Sequence, residues 1–348
     1  MRWLVILCVM MTHAMGFYVR DEKIYDDHDT EFRVKGLSWF GFETPDHVVN
    51  GLWAHPMEYY FTVIRENGIN VLRIPFSAEW IYYNYDEYPY EGNISQDPSS
   101  RGKSSIEIMD RLFDLAKQND VYIMLDLHRL HKEYISELWY SPYDNQYTWE
   151  TYFATWFRML DRYKDHPSLF AVDLLNEPHG KATWGTGDES TDWKLFVERA
   201  LPRFTERYPE SRWLYFVEGV MWGKDLSGYL NHPLNTEIPE RIVFSPHNYG
   251  KSVVPNIDMD ANALHRDWDY HFGYLKDLGQ TFAVGEWGGK TDLDTDWMNL
   301  FVDYLIQKKM TNNFLWSLGP NSGDVAGLLR DDWTSIDGTK LSLMNKLN

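Results

Sequence analysis

Two glutamates, Glu177 and Glu286, follow apolar segments of strand length, and other polar residues recur at the ends of similar segments: Arg73, His128, Asn176, His247 and Tyr249. Hydrolysis of a glycosidic bond needs one carboxylic acid that protonates the leaving oxygen and one carboxylate that attacks or supports the anomeric carbon. An arginine beside one glutamate keeps it ionised, while a less polar pocket keeps the other protonated, and we assign Arg73 to Glu286. The residues therefore predict a glycosidase whose catalytic pair is Glu177 and Glu286.

Eight apolar segments of strand length must position these side chains, and longer amphipathic segments separate them. The predicted strands are Phe32–Gly41, Val71–Ser77, Tyr122–His128, Leu169–Pro178, Leu214–Val220, Arg241–Gly250, Thr281–Gly289 and Asn313–Gly319. The predicted helices include Ser104–Asn119, Trp149–Tyr163, Trp193–Tyr208, Leu264–Leu278 and Asp296–Lys309. This order predicts an α/β fold, a single (β/α)8 TIM barrel, with the catalytic pair after the fourth and seventh strands on opposite sides of its mouth.

An open doubly wound sheet is the alternative fold. Its glycine-rich phosphate-binding turn is missing, because Trp39-Phe40-Gly41-Phe42 ends the first predicted strand. The closed barrel is therefore the expectation.

The N-terminal segment is typical of a secretory signal peptide. Arg2 precedes the apolar run Trp3–Met11, and small residues follow at Ala14 and Gly16. We expect cleavage near Phe17, a signal peptide at residues 1–16, one catalytic domain at 17–348 and a secreted, extracellular protein. A buried N-terminal helix or strand is the alternative.

The charge of the chain limits its partners. The difference between 33 basic and 52 acidic residues is −19, which repels phosphate backbones and anionic lipid. We expect no nucleic acid and no membrane as a partner, a neutral ligand and a monomer. Asp292, Asp294 and Asp296 lack the glycine and glutamate of a calcium loop and instead indicate a helix N-terminus.

In seven stretches the chain resembles glycoside hydrolase family 5, and particularly its endo-β-1,4-glucanases. They are Gly36–Thr44, Leu72–Pro75, Leu125–Arg129, Leu175–His179, His247–Tyr249, Gly285–Trp287 and Trp316-Ser317. The resemblance implies a (β/α)8 barrel, retention of anomeric configuration, no cofactor, and a β-glucan polysaccharide or oligosaccharide as substrate. We also expect no metal, because His128, His131 and Glu133 lack the His-Glu-x-x-His spacing of a zinc site. Retention in turn predicts carboxyl groups about 5 to 5.5 Å apart.

The resemblance also implies a role for each matching residue. Glu177 is similar to the family's proton donor and Glu286 to its nucleophile, with Arg73 and Tyr249 as hydrogen-bonding neighbours of that nucleophile. Asn176 is expected to hold the sugar 2-hydroxyl, His128 and His247 to line the subsite of the cleaved sugar, and Trp316 to lie under that ring.

Aromatic residues near strand ends are candidates for stacking on sugar rings. Trp39 and Trp316 are the main candidates, followed by Trp222 and Trp287. The aromatic and acidic segment Glu79–Tyr90 is expected to overhang one side of the cleft, or else to pack as a surface loop over the rim.

Other activities fit the same scaffold. A β-mannanase, xyloglucanase, β-1,3-glucanase or transglycosylase would use the same catalytic pair. A catalytically silent glycan-binding protein would keep the groove without the chemistry.

Overall fold

A closed barrel of eight parallel strands forms the centre of the molecule, a computed structural model that describes residues 16–348. The strands are β1 Lys35–Ser38, β2 Val71–Ser77, β3 Tyr122–Arg129, β4 Leu169–Asp173, β5 Leu214–Val217, β6 Ile242–Phe244 with His247–Tyr249, β7 Val284–Gly288 and β8 Asn313–Leu315. The first part of β6 pairs with β5 and its second part pairs with β7, so the sheet closes on itself. The predicted (β/α)8 barrel is confirmed, and the open sheet is excluded.

Helices lie between the strands around the barrel. They are α1 Met57–Glu66, α2 Ser105–Gln118, α3 Trp149–Tyr163, α4 Trp193–Arg207, α5 Ala261–Trp268, α6 Tyr274–Asp277, α7 Thr291–Lys308 and α8 Gly338–Leu347. Side-chain caps fix several of their starts, as at α4, where Asp192 accepts the backbone N–H of Leu195 at 3.1 Å. None of the helices within residues 16–348 is long and apolar enough to cross a membrane.

Two helix predictions differ in detail from the structure. The predicted helix Leu264–Leu278 is divided into α5 and α6 by a wider π-helical turn at Asp269–Gly273. The helix predicted from Asp296 begins earlier, at Thr291, which confirms the aspartates as its N-terminal residues. The connection from β5 to β6 contains only the short 3₁₀ turns Ser227–Leu230 and Pro239–Arg241.

Aromatic rings close the end of the barrel where the strands begin. The ring of Phe17 lies 5.0 Å from Phe32, 4.9 Å from Tyr122 and 4.7 Å from Phe170, edge to face with each. A two-stranded hairpin, Tyr18–Arg20 and Lys23–Tyr25, follows Phe17. Within residues 16–348 the large groove lies at the opposite end, where the strands finish. The predicted signal peptide lies outside the described residues except for Gly16.

Candidate active site

A groove of about 970 Å³ crosses the barrel at the C-terminal ends of the strands. Its lining includes seven residues predicted from the sequence: Glu177, Glu286, His128, His247, Tyr249, Trp316 and Trp222. Arg73 and Asn176 are fully buried beneath it. The barrel thus brings the predicted polar residues together at one end.

Glu177 lies just beyond the end of β4, where the backbone leaves the strand. Its φ of +50° is in the left-handed region, and its N–H donates to Glu218 Oε2 at 2.7 Å. Its Oε1 lies 3.1 Å from His247 Nδ1. Burial raises the pKa of Glu177 to about 7, the negative charge of Glu286 also raises it, and His247 opposes the shift. This carboxyl group can therefore hold a proton near neutral pH.

Glu286 lies within β7 and receives two hydrogen bonds from side chains. Arg73 Nη1 donates to its Oε1, and the Tyr249 hydroxyl donates to its Oε2 at 2.5 Å. Burial alone would raise the pKa of Glu286, but the charges of His247 and Arg73 together lower it below the ordinary value. Glu286 is therefore the ionised carboxylate of the pair.

The two carboxyl groups lie close enough to act on one bond. A carboxyl oxygen of Glu177, one of Glu286 and a ring nitrogen of His247 all lie within 4.8 Å of one another. These oxygens are closer than the roughly 6.5 to 9.5 Å that separates the carboxyl groups of an inverting pair.

Three further predicted residues lie near this pair, Asn176 beneath the groove and His128 and Trp316 in its lining. Asn176 Oδ1 accepts from Arg73 Nη2 at 2.9 Å, and His128 Nδ1 lies 2.7 Å from Asp126 Oδ2. The Trp316 indole stacks on His128 at 5.4 Å between ring centroids, and its Nε1 donates to Ser322 Oγ at 3.1 Å. Trp316 is partly exposed and lines the groove.

Trp39 does not face the groove, and its prediction as a sugar-stacking residue is wrong. Its side chain is 1% exposed, its Nε1 donates to the carbonyl of Asn50 at 2.8 Å, and its ring packs on Tyr60 and Phe61. The next residue, Phe40, lines the groove instead and stacks on Trp316 at 5.4 Å. Neighbouring residues of an extended chain point in opposite directions, so a shift of one position reverses the assignment.

Trp287 is also a core residue, contrary to its prediction. Its side chain is fully buried and its Nε1 donates to Asn313 Oδ1 at 2.8 Å. Trp222, by contrast, lines the groove, is 50% exposed and stacks on His179 at 3.5 Å between ring centroids. Because His179 is two residues after Glu177, this stacked pair flanks the protonated carboxyl group.

The segment Glu79–Tyr90 packs beside the barrel and contributes no side chain to the groove lining. Its short helix, Glu79–Tyr83, packs against α3, and the Tyr83 hydroxyl donates to the carbonyl of Gln146 at 2.7 Å. The guanidinium of Arg158 lies 3.7 Å above the Tyr85 ring. The alternative of a packed surface loop is therefore the correct one.

The sequence interpretation missed three buried acids around Arg73. Asp126 and Asp173 lie 3.1 Å from Arg73 Nη2, and Glu218 lies 3.3 Å from it. Burial raises the pKa of Asp126 and Glu218 to about 8 and that of Asp173 to about 7. Each acid interrupts an apolar run, and that pattern could have revealed them, because a buried charge is costly unless it is paired.

Glu43, in the loop after β1, was missed as well. It is 1% exposed, lines the groove and accepts the backbone N–H of Gly41 at 2.8 Å. Burial raises its pKa to about 7.

Two groups of side chains have the ligand types for a metal ion. Asp173, Glu218 and His247 form one group, and Glu177, His247 and Glu286 form the other. Arg73 already places a positive charge against an acid of each group. A divalent cation would be repelled by this guanidinium, and we assign no metal to the site.

Comparisons with known proteins agree with this geometry. The family model described as Cellulase (glycosyl hydrolase family 5) matches residues 25–322. An endoglucanase from Paenibacillus polymyxa is 36% identical over 353 residues, which cover 95% of this chain and 87% of that protein. The catalytic domain of the major endoglucanase from Xanthomonas campestris has a TM-score of 0.88 and 34% identity, over 95% of this chain and 99% of that chain.

An endocellulase from Pyrococcus horikoshii, solved as a complex with cellotetraose, has a TM-score of 0.88 and 31% identity, over 97% of this chain and 99% of that chain. The family model and these relatives cover most of the chain, and they confirm the resemblance that the sequence motifs indicate. The chain belongs to glycosyl hydrolase family 5, the cellulase family, and is a glycoside hydrolase.

Proposed function

We propose that the protein is a secreted, retaining endo-β-1,4-glucanase with Glu177 as the acid/base and Glu286 as the nucleophile. The observation that carries the proposal is the pair itself: two carboxyl groups with oxygens within 4.8 Å and pKa values shifted in opposite directions. This separation supports retention rather than inversion. The relatives described above, named as endoglucanases and an endocellulase, support β-1,4-glucan as the substrate.

In the proposed first step, Glu286 attacks the anomeric carbon while Glu177 protonates the departing glycosidic oxygen. The hydrogen bonds from Arg73 and Tyr249 keep Glu286 ionised and aim its oxygens. In the second step, Glu177 takes a proton from water, and that water displaces Glu286 from the covalent glycosyl-enzyme. The anomeric configuration is inverted twice and therefore retained.

Each side of the groove has its own proposed role in binding. Trp316 supports the ring that is cleaved, with His128 and His247 beside it and Asn176 hydrogen-bonded to the 2-hydroxyl. Trp222, stacked on His179 next to the proton donor, supports the leaving-group sugar. The exposed faces of both indoles suit the C–H faces of glucose rings.

The first test is reducing-end release from carboxymethylcellulose, glucomannan, galactomannan and laminarin by the wild type, Glu177→Gln and Glu286→Gln. Activity chiefly on the cellulose derivative, abolished in both variants, supports the proposal. Preference for a mannan or for laminarin would keep the mechanism and change the substrate. Binding of cellotetraose without turnover of any polymer would favour a glycan-binding protein.

Two measurements test the remaining parts of the proposal. Proton NMR of the first product formed from cellotetraose should show the β-anomer, and an initial α-anomer would contradict double displacement. N-terminal sequencing of the exported protein should begin near Phe17, which would establish residues 1–16 as a signal peptide and 17–348 as the mature domain. Light scattering of that protein should give the mass of a monomer.

A further inference from the structure

One fully buried carboxyl group contacts both the backbone of Glu177 and the imidazole beside it. Glu218 follows β5, is 0% exposed and does not belong to the groove lining. Its Oε2 accepts the N–H of Glu177 at 2.7 Å, and its Oε1 lies 3.1 Å from His247 Nε2. The other ring nitrogen, His247 Nδ1, lies 3.1 Å from Glu177 Oε1. The three residues therefore form a closed ring of contacts.

The surrounding structure leaves the Glu218 carboxyl group little freedom. Its backbone carbonyl accepts from Trp193 Nε1 of α4 at 2.9 Å. A Cβ placed on Gly223, whose φ is +75°, would lie 2.5 Å from Glu218 Oε2 and 3.1 Å from His247 Cγ. Only glycine leaves room for both side chains at this point. The packing thus holds Glu218 against its two partners.

We infer that Glu218 is a positioning residue for the acid/base: it holds the backbone of Glu177 and fixes His247 against the Glu177 carboxyl group. This inference rests on the proposed role of Glu177. The left-handed backbone of a residue other than glycine is strained and persists only where its surroundings enforce it. The hydrogen bond from the Glu177 N–H to Glu218 is such a constraint.

The second effect of Glu218 is on the charge of His247. Burial opposes protonation of His247, but Glu218, Glu286 and Glu177 together raise its pKa well above the ordinary value. The resulting imidazolium lowers the pKa of Glu177, which burial raises. The other titratable or charged groups that face Glu177 and His247 come from β2, β3, β4 and β6: Arg73, Asp126, His128, Asp173 and Tyr249.

The Glu218→Gln variant distinguishes the two effects of Glu218, on the Glu177 backbone and on the charge of His247, from a role in packing alone. A carboxyl group accepts hydrogen bonds on both oxygens, whereas an amide offers one oxygen and a donor. If the oxygen of the new amide side chain accepts the N–H of Glu177, the NH₂ group of that amide faces His247 Nε2. The imidazole of His247 then becomes neutral. Glu177 then loses the adjacent positive charge, so its pKa rises and the alkaline limb of the pH profile moves to higher pH.

The experiment compares kcat/KM for cellotetraose and for dinitrophenyl β-cellobioside, whose leaving group departs without a proton. Because general acid catalysis contributes roughly 10²- to 10⁴-fold, we expect Glu218→Gln to lose about 10- to 100-fold on cellotetraose. The loss on the dinitrophenyl substrate should be below about threefold, since kcat/KM for that substrate does not require protonation. The alkaline limb for cellotetraose should move upward.

Asp126→Asn is the matched control, because Asp126 is an equally buried acid that contacts Arg73 and His128. It should affect both substrates equally and leave the alkaline limb in place. If Glu218→Gln does not fold, as judged by circular dichroism, Glu218→Asp replaces it, since the shorter acid cannot reach both partners and should show the same substrate split.

Two results for the folded Glu218 variant would overturn the inference: equal losses on both substrates, or wild-type behaviour on both. Glu177→Gln serves as the reference for the proposed function. If it shows no split between the substrates, the proposed role of Glu177 fails, and this result is distinct from a failure of Glu218 alone.

Discussion

Replacing Tyr249 with phenylalanine removes one of the two side-chain hydrogen bonds that stabilise ionised Glu286. The hydroxyl donates to Glu286 Oε2 at 2.5 Å, and burial raises the pKa of Tyr249 so far that it remains a donor throughout the working range. A hydrogen bond to a charged group contributes about 1.5–3 kcal/mol, equivalent to about one to two pKa units. A water molecule entering the space would recover part of this, so we expect about one unit.

The direction of the shift follows from the role of Glu286. The hydrogen bond lowers its pKa, so the Tyr249→Phe variant has a higher pKa and needs a higher pH to ionise the nucleophile. The acidic limb of kcat/KM for cellotetraose, which reports the free enzyme, should therefore move upward by about one unit. At the optimum, kcat/KM should fall roughly 10- to 100-fold.

Tyr83→Phe is a suitable control, because Tyr83 loses a comparable hydroxyl bond to a backbone carbonyl outside the groove. Its pH profile should coincide with that of the wild type. An acidic limb that stays in place in Tyr249→Phe, or moves to lower pH, would refute the assignment of Glu286 as the ionised nucleophile.

Three other predictions follow from the same contacts. The wild type should lose activity on cellotetraose above about pH 7, where Glu177 deprotonates, while kcat/KM for the dinitrophenyl substrate stays level; a shared decline would contradict this. Arg73→Met leaves the buried acids without their cation, so the free energy of unfolding measured in urea should fall by about 3–5 kcal/mol. An unchanged free energy would exclude a structural role for Arg73. Trp39→Ala should destabilise the fold by about 3–5 kcal/mol and leave the Kd for cellotetraose unchanged. Trp316→Ala should weaken the binding of cellotetraose. Binding calorimetry that shows the reverse would restore Trp39 as a binding residue.

The sequence was sufficient to predict the barrel and the relative placement of its polar strand ends. β2 is found at the predicted Val71–Ser77, because this segment is mainly apolar, with Arg73 as its one charged residue, and it is buried along its whole length. The predicted strand Leu169–Pro178 was too long, since regular pairing stops at Asp173 and the chain then turns to present Glu177. Hydrophobic runs locate such elements, but strand ends depend on contacts with other segments.

Side-chain direction was less predictable than position along the chain. Trp39 and Phe40 are both aromatic and adjacent, and only the folded barrel decides that Phe40 faces the groove. In the same way, Trp222 and Trp287 both follow apolar runs, yet one is half exposed and the other fully buried. Composition does not distinguish these cases, because core packing and sugar stacking favour the same residue types.

The buried acids explain why the site needs more than the two glutamates proposed as catalytic. Arg73 and His247 are the cations at the centre of the site, and five carboxyl groups contact one or both of them: Asp126, Asp173, Glu177, Glu218 and Glu286. Two positive charges cannot stabilise five negative ones in a buried environment, so some of the acids must retain protons near neutral pH.

Geometry then decides which acid stays ionised. Glu286 receives the guanidinium of Arg73 and the hydroxyl of Tyr249, and its pKa is lowered. Glu177 has only His247 beside its carboxyl group, and Glu218 shares that imidazole. Glu177 therefore keeps a raised pKa of about 7, because the surrounding acids compete for the same two cations, and it can supply the proton that the proposed reaction needs.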